Sequence, residues 1–303
     1  MVYASFSEML SKVNRVERVI ISVASACDEE VLEAVKYADE HDLAGAILIG
    51  DQVKLKEMAA KLNMDLGRFS VIHEPDPIKA SLEATRQVST GQADFLMKGQ
   101  VNTSDFLRAV LDAEVGLRTG KVLSHLAAFE VPGYNRLLFV TDGGINIAPD
   151  FNEKVAIIQN AVNYLNLIGY ENPFVAVLSA NEAINPKMPV TMEAATLAKM
   201  AEQGQIKGCT LDGPLSLDLA ISEEAAKHKS VTSPVAGKAD LLMVPTIEVG
   251  NILGKAMVYL GKAKMAGIVL GAKVPVVLTS RAATMETKVT SIVMAALAKS
   301  KKH

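Results

Sequence analysis

The chain has 303 residues, half of them apolar, and its 31 Lys and Arg nearly balance 34 Asp and Glu, leaving a formal charge of −3. That composition excludes an intrinsically disordered chain and a strongly polyanion-binding one, and the length suits two cores of ordinary size. The longest uncharged stretch, 155–170, has 16 residues and contains Gln159 and three Asn, so no segment is predicted to span a bilayer core of about 30 Å.

In chain order, short apolar runs rich in Val, Ile and Leu recur at 18–24, 45–49, 69–72 and 94–97. Runs of this kind without alternation are what strands covered on both faces require. The first of them, continuing to Ala24-Ser25-Ala26-Cys27, superficially resembles a signal-peptide cleavage region. It is short, and Glu8 and Glu17 spoil the basic flank, so it is read as a core strand. Between the runs, 28–41, 52–62 and 77–90 carry apolar residues three or four apart, the period of an amphipathic helix. Alternating strand and helix predicts a largely parallel sheet with right-handed crossovers.

From 121 to 140 the alternation loosens, and two candidate strands flank the turn Val131-Pro132-Gly133-Tyr134, which predicts a hairpin and the start of a second domain. Helix 152–168, strand 173–179, helix 189–203, strands 206–211 and 240–245, and helix 248–260 follow. Apolar runs at 266–270 and 274–279 precede a last helix, 284–298. The tail 299–303 reads as a solvated end. There is no fixed-period repeat and no long linker.

Familiar catalytic motifs are missing. Gly250-Asn-Ile-Leu-Gly254-Lys255 has three residues between its glycines where a phosphate loop has four, so it reads as small residues admitting close helix packing. The stretch from Asp142 to Glu153 has oxygen side chains at positions 1, 5, 9 and 12 of a calcium-loop pattern, but Gly144 and Ile147 occupy positions 3 and 6 and defeat it. The five His are scattered at 41, 73, 125, 228 and 303, against a Ser/His/Asp hydrolase or a His-ligated metal site. Cys27 and Cys209 form no C-x-x-C pair, and a reducing cytoplasm is the expected compartment.

What remains are two polar clusters placed where strands end. Lys98-Gly-Gln-Val-Asn-Thr-Ser-Asp105 follows strand 94–97 and leads into a helix carrying Arg108; Ser280-Arg281-Ala-Ala-Thr284 follows strand 274–279. Read alone, each is an ordinary helix start, capped by Thr103 or Ser104 in one case and Thr284 in the other. Together, two Gly- or hydroxyl-bearing helix starts with an Arg each describe an anion site at the carboxyl edge of a parallel sheet.

Those residues carry a resemblance. Leu211-Asp-Gly-Pro-Leu-Ser-Leu-Asp-Leu-Ala220, Ser233-Pro-Val-Ala-Gly-Lys-Ala-Asp240, Pro245-Thr-Ile-Glu-Val-Gly-Asn251 and Ser280-Arg281 occur in an order that resembles the phosphate acetyl/butyryltransferase family, and Asn102-Thr-Ser-Asp-Phe-Leu-Arg108 is similar to its other signature. The turn Asp142-Gly143-Gly-Ile-Asn146, the opening Asp212-Gly-Pro-Leu and the ending Glu286-x-Lys288-x-x-Ser291 look like the butyryl branch. The resemblance implies an α/β, two-domain isocitrate/isopropylmalate-dehydrogenase-like fold with an interdomain cleft. The first domain would be 1–118 plus 267–303 and the second 119–266, through which a homodimer or higher homo-oligomer would form.

It further implies reversible transfer of a short acyl group, butyryl or branched, between coenzyme A and inorganic phosphate. Coenzyme A would be a substrate, with no permanently bound cofactor and no metal; acyl-CoA and phosphate would be the partners, with neither nucleic acid nor membrane. On this match Arg108, Thr103 and Asn102 bind phosphate, Ser280 and Arg281 face the carbonyl and thiol, and Lys98, Thr284, Asp142 and Gly143 contribute to the coenzyme A or acyl site. The acetyl branch has a catalytic Asp on the helix after its Ser-Arg pair. Here no Asp follows Arg281, and the only carboxylate side chain is Glu286, which reads either as the substitute base or as an ordinary acidic residue favouring the helix N-terminus, with Ser291 as the other candidate. An acetyl-preferring transferase, a metal-dependent hydroxy-acid dehydrogenase and a non-catalytic acyl-CoA-binding protein are the alternatives.

Overall fold

All but one of the first four apolar runs become strands covered on both faces; the exception is 69–72. In the computed structural model, residues 2–13, 18–280 and 282–299 are described, and the chain divides into two compact units. The terminal unit joins Ser7–Lys121 to Ala266–His303, and the central unit joins Met1–Phe6 to Val122–Met265. The opening residues therefore depart from the 1–118 boundary: the Tyr3 hydroxyl donates to Ile168 O at 2.9 Å and Leu137 N donates to Tyr3 O at 2.8 Å, tying them to the central unit.

An unexpected helix, α1 (Phe6–Val13), opens the sequence of elements, with Phe6, Met9 and Val13 buried at helical spacing. Then β1 (Val19–Ala24), α2 (Glu29–Glu40), β2 (Ala44–Gly50), α3 (Gln52–Lys61), β3 (Ser70–His73), α4 (Pro77–Ser89), β4 (Phe95–Lys98) and α5 (Thr103–Val110) alternate as the pattern predicts. Strands β2 and β4 are buried throughout, while β3, at the sheet edge, is half-exposed. Three of these helices start on an aspartate. Asp28 accepts from Val31 N, Asp51 from Val53 N and Lys54 N, and Asp76 from Ile78 N and Lys79 N, each satisfying donors that a helix start leaves open.

The central unit holds the predicted hairpin: β5 (Ser124–Glu130) and β6 (Leu138–Thr141) pair antiparallel, Ala127 opposite Val140, across a turn closed by Tyr134 N to Val131 O at 3.0 Å. After it come α6 (Phe151–Ile168), β7 (Phe174–Leu178), α7 (Pro189–Glu202), β8 (Thr210–Leu215), α8 (Leu217–Ile221), α9 (Glu223–His228), β9 (Leu241–Met243) and α10 (Ile247–Tyr259). Strand β8 begins four residues later than the 206–211 expectation. Gly208 has a left-handed φ of 81°, which breaks the early run, and Pro214 is tolerated because β8 lies at the sheet edge, where a missing N–H costs least. Phe129, Leu138, Val140, Leu215, Leu242 and Val244 belong to this unit's core.

The chain then returns through β10 (Lys264–Leu270), β11 (Val276–Val277) and α11 (Met285–Lys299). In the terminal unit the strands run β3-β2-β1-β4-β11-β10, parallel except for β10 against β11. Strand β11 is shorter than the apolar run 274–279 suggested, because only two residues pair. No helix among the described residues is long and apolar enough to cross a membrane.

Candidate active site

The strand order reverses at β1. Strands β2 and β3 extend from one side of it and β4 lies on the other, so β1 and β4 flank a topological switch point, where loops at the carboxyl ends diverge and leave room for a ligand. Register then sets which loops share that edge. Val23 pairs with Met97 and Met97 with Val277, in parallel, so the loops after β1, β4 and β11 leave the sheet at the same level. Both polar clusters singled out from the sequence thereby follow neighbouring strands of one unit.

The loop after β4 is pressed onto the loop after β1. A Cβ on Gly99 would lie 2.3 Å from Ser25 O and 2.6 Å from Ala24 O, so only glycine fits. Gln100 N donates to Ser25 O at 2.7 Å and the Ser25 hydroxyl donates to Gln100 O at 3.0 Å. Lys98 is buried, with its ammonium donating to Gly99 O at 3.1 Å and Val101 O at 3.0 Å. It thus braces the loop from beneath.

Helix α5 begins on Asn102, one residue before the expected Thr103 or Ser104 cap, and the Asn102 side chain makes no capping hydrogen bond to the helix N–H groups. Thr103 and Ser104 are exposed at that start. The positive end of the helix, exposed hydroxyls and a cation one turn on constitute an anion-binding arrangement. Arg108 is that cation; its side chain is 76% exposed and Nη1 donates to Asp105 Oδ1 at 2.6 Å.

On the loop after β11, Ser280 is exposed, and its hydroxyl accepts from Ala282 N at 3.3 Å while its carbonyl accepts from Ala283 N at 3.0 Å. Arg281 lies outside the described residues. Thr284 is the cap of the following helix, accepting from Thr287 N at 3.3 Å, so the ordinary reading of that residue is the one the geometry gives. Glu286 is exposed in the first turn of α11. Ser291 is fully buried; its hydroxyl accepts from Gly267 N at 2.9 Å and donates to Thr287 O at 2.7 Å, so it ties β10 to α11 and is committed as a structural group.

Asp142 and Gly143 belong to the central unit. Both carboxylate oxygens of Asp142 are engaged: Oδ1 accepts from Gly144 N and Ile145 N at 2.8 and 2.9 Å, and Oδ2 accepts from His125 N at 3.1 Å, Asn146 N at 3.3 Å and Asn146 Nδ2 at 2.6 Å. Five donors fill a carboxylate, so Asp142 organises the 142–147 turn and only the turn's backbone is left to meet a ligand. Gly143 is needed because Gly250 of α10 packs on it; a Cβ at Gly143 would sit 2.8 Å from Gly250 C. Gly254 similarly faces the ring of Phe129, so the small-residue reading of that glycine pair holds.

Sequence reasoning quoted Lys288 only as part of an ending signature. It is 2% exposed, and its ammonium donates to Ala283 O at 2.5 Å. Burial pushes its pKa below the ordinary lysine value, opposed by the charges of Asp28 and Glu30. The available signal was a single lysine on an otherwise apolar helix face, one and two turns from Ser291 or Ile292 and Ala295.

Comparison with known proteins supplies the lineage. Residues 5–79 and 77–296 match the family model described as Phosphate acetyl/butaryl transferase. The phosphate butyryltransferase of Clostridium acetobutylicum is 52% identical over 293 residues, 97% of either chain. The crystal structure of a branched-chain phosphotransacylase from Enterococcus faecalis V583 superposes with a TM-score of 0.83 at 36% identity, covering 92% of this chain and 98% of that one. A 4-hydroxythreonine-4-phosphate dehydrogenase from Klebsiella pneumoniae, at 16% identity and a TM-score of 0.58 over 93% of this chain and 98% of its own, shares the fold alone and marks it as dehydrogenase-like α/β. Matched along nearly its whole length by that family model and by a relative identical at more than half its positions, this chain belongs to the phosphate acetyl/butyryl transferase family.

Proposed function

We propose that the protein transfers a short-chain acyl group, butyryl or a branched relative, reversibly between coenzyme A and inorganic phosphate, with coenzyme A as a substrate and no resident cofactor or metal. The observation that supports the site most directly is the register of β1, β4 and β11, which brings the Asn102–Arg108 and Ser280–Thr284 segments out at one sheet edge. In the direction of acyl-CoA formation the coenzyme A thiol loses its proton, the thiolate sulfur bonds to the acyl-phosphate carbonyl carbon, and the carbon–oxygen bond to phosphate breaks. A thiol of ordinary pKa near 8.5 needs a base, the carbonyl oxygen gains charge, and phosphate departs as a polyanion.

The assignments follow those needs. Asn102, Thr103 and Arg108 receive phosphate at the start of α5, Ser280 and Arg281 stabilise the charge on the carbonyl oxygen, and Glu286 takes the thiol proton. Asp142 and Gly143 contribute the turn of the central unit to coenzyme A binding. The terminal and central units are the two domains of this fold, working in the cytoplasm as a homodimer. Association runs through α10, whose exposed apolar residues Val249, Ile252, Tyr259 and Leu260 form a stripe at helical spacing.

A thiol-release assay tests this reading: purified protein, a series of acyl-CoAs, with and without phosphate. Release should require phosphate, resist chelators, and favour butyryl-CoA over acetyl-CoA, since each buried methylene is worth about 0.8 kcal/mol, or about fourfold in kcat/KM. Higher kcat/KM with acetyl-CoA would establish the acetyl-preferring alternative. Release independent of phosphate, or nicotinamide reduction without acyl transfer, would overturn the proposal. Glu286→Gln should lower kcat by about 10²; a near-normal kcat removes Glu286 as the base.

A further inference from the structure

We propose that Lys288 is a positioning residue for the acyl-transfer step, holding Ala283, and through it Ser280, so that the Ser280 hydroxyl is presented at the sheet edge. The inference rests on the proposed role of Ser280 and adds a residue that role does not include.

The geometry is a short relay. Lys288 is the fourth residue of α11, and side chains on a helix lean toward its N-terminus, so the lysine stem runs back under the segment that precedes the helix. Its ammonium donates to Ala283 O at 2.5 Å. The N–H of the same Ala283 donates to Ser280 O at 3.0 Å, and Ala282 N donates to the Ser280 hydroxyl at 3.3 Å. Shifting Ala283 therefore acts on the Ser280 carbonyl through its own N–H, and on the Ser280 hydroxyl through the neighbouring Ala282. A bond at the far end of the relay, from Ser280 to a carbonyl oxygen in reaction, depends on placement to within a fraction of an ångström.

Burial by itself disfavours a lysine at this position. The neighbours of Lys288 along α11 include Val289, Ile292 and Val293, all buried, and Lys288 itself is 2% exposed. A buried ammonium is a cost to folding that an unbranched apolar chain of similar volume avoids. What the lysine supplies and methionine cannot is the donor to Ala283 O. Asp28, the cap of α2, and Glu30 on the same helix are the acidic groups whose field favours its charged form, and α2 packs against α11. A charge placed at a structural disadvantage, bonded to the segment that carries Ser280, is the pattern of a residue kept for function.

The test is a double-mutant cycle on the purified enzyme, measuring kcat, both KM values and Tm for wild type, Lys288→Met, Ser280→Ala and the double variant. Lys288→Met should lower kcat by about 10- to 100-fold, with KM for phosphate and acyl-CoA within about twofold and Tm equal to or above wild type. Added to Ser280→Ala it should cost little more, because the group it positions is already gone. Wild-type kcat in Lys288→Met beside a crippled Ser280→Ala overturns this proposal and leaves the site reading standing. Losses that multiply in the double variant overturn it as well. A silent Ser280→Ala overturns the site reading and this proposal with it. If the Met variant fails to fold, Lys288→Leu, which likewise lacks a donor, carries the same cycle, and wild-type kcat there is equally fatal.

Discussion

Arg108 costs the folded chain little to redirect. Its partner Asp105 is three residues back on the same helix and its own side chain is 76% exposed, the kind of pair whose net contribution is a few tenths of a kcal/mol. Binding a phosphate therefore breaks nothing of consequence. Arg108→Ala should raise KM for phosphate about tenfold or more, the loss of a charge-assisted bond, while leaving Tm within about 1 °C; unchanged phosphate kinetics would remove it from the site. Lys in its place should rescue only in part, since a point charge cannot reproduce the planar fork.

His125 has the opposite character. Its Nδ1 is the one buried side-chain nitrogen or oxygen without a partner among the described residues, and the ring is pressed against the backbone of Gly144. Burial lowers its pKa below 6.5, with the charge of Asp142 acting the other way. The unfolded chain thus binds this proton at a higher pH than the folded one does. The stability that a neutral His125 confers is complete above about pH 6.5 and declines as pH falls below it toward the folded value. Tm of wild type should fall between pH 7.5 and 5.5, and His125→Gln should flatten that slope; parallel slopes would assign the loss to other groups.

At the scale of elements, strand and helix alternation was legible because the strands are short and unalternating, and the helices after β1, β2 and β3 are capped by Asp28, Asp51 and Asp76. Both candidate clusters were legible for the same reason, as polar residues directly after an apolar run. Their adjacency was not, because it depends on β11 returning from the far end of the sequence to pair with β4, and only two residues make that pairing. Strand β8 was misplaced because an edge strand tolerates Gly213 and Pro214, residues that argue against a central one. The local hydrogen bonds of Lys98 to Gly99 O and Val101 O, and of Asp142 to the 144–146 turn and to His125 N, are commitments that no spacing reveals. Gly99 is the tightest joint in this region. Gly99→Ala drives a methyl into two carbonyl oxygens, and should cost about 1–3 kcal/mol of stability by thermal or urea unfolding and lower kcat by re-aiming α5; a fully stable, fully active variant would show that the loop yields.

For the whole molecule, the apolar stripe of α10 has a measurable consequence. Ile252 is 68% and Leu260 82% exposed, more than a water-facing helix needs. On the proposed dimer, Ile252→Glu should shift the mass measured by light scattering from dimer to monomer while leaving the far-UV spectrum unchanged; a wild type that is already monomeric overturns the proposed association, and a variant dimer of undiminished stability places the interface elsewhere.

Because β11 is an interior strand between β4 and β10, the terminal unit is closed by residues made long after its first four strands. During synthesis, β4 therefore waits with one flank of peptide groups unpaired while the entire central unit is still being translated. An exposed strand edge is a template for pairing with other chains, so this interval is when the nascent protein is most open to aggregation and to chaperone capture. The central unit has no such delay, as its strands β5 to β9 are contiguous in sequence. Order of synthesis and order of folding therefore differ: the half of the protein whose strands are made first is completed last, and the edge that carries the proposed phosphate site comes into being only with the final strand and helix.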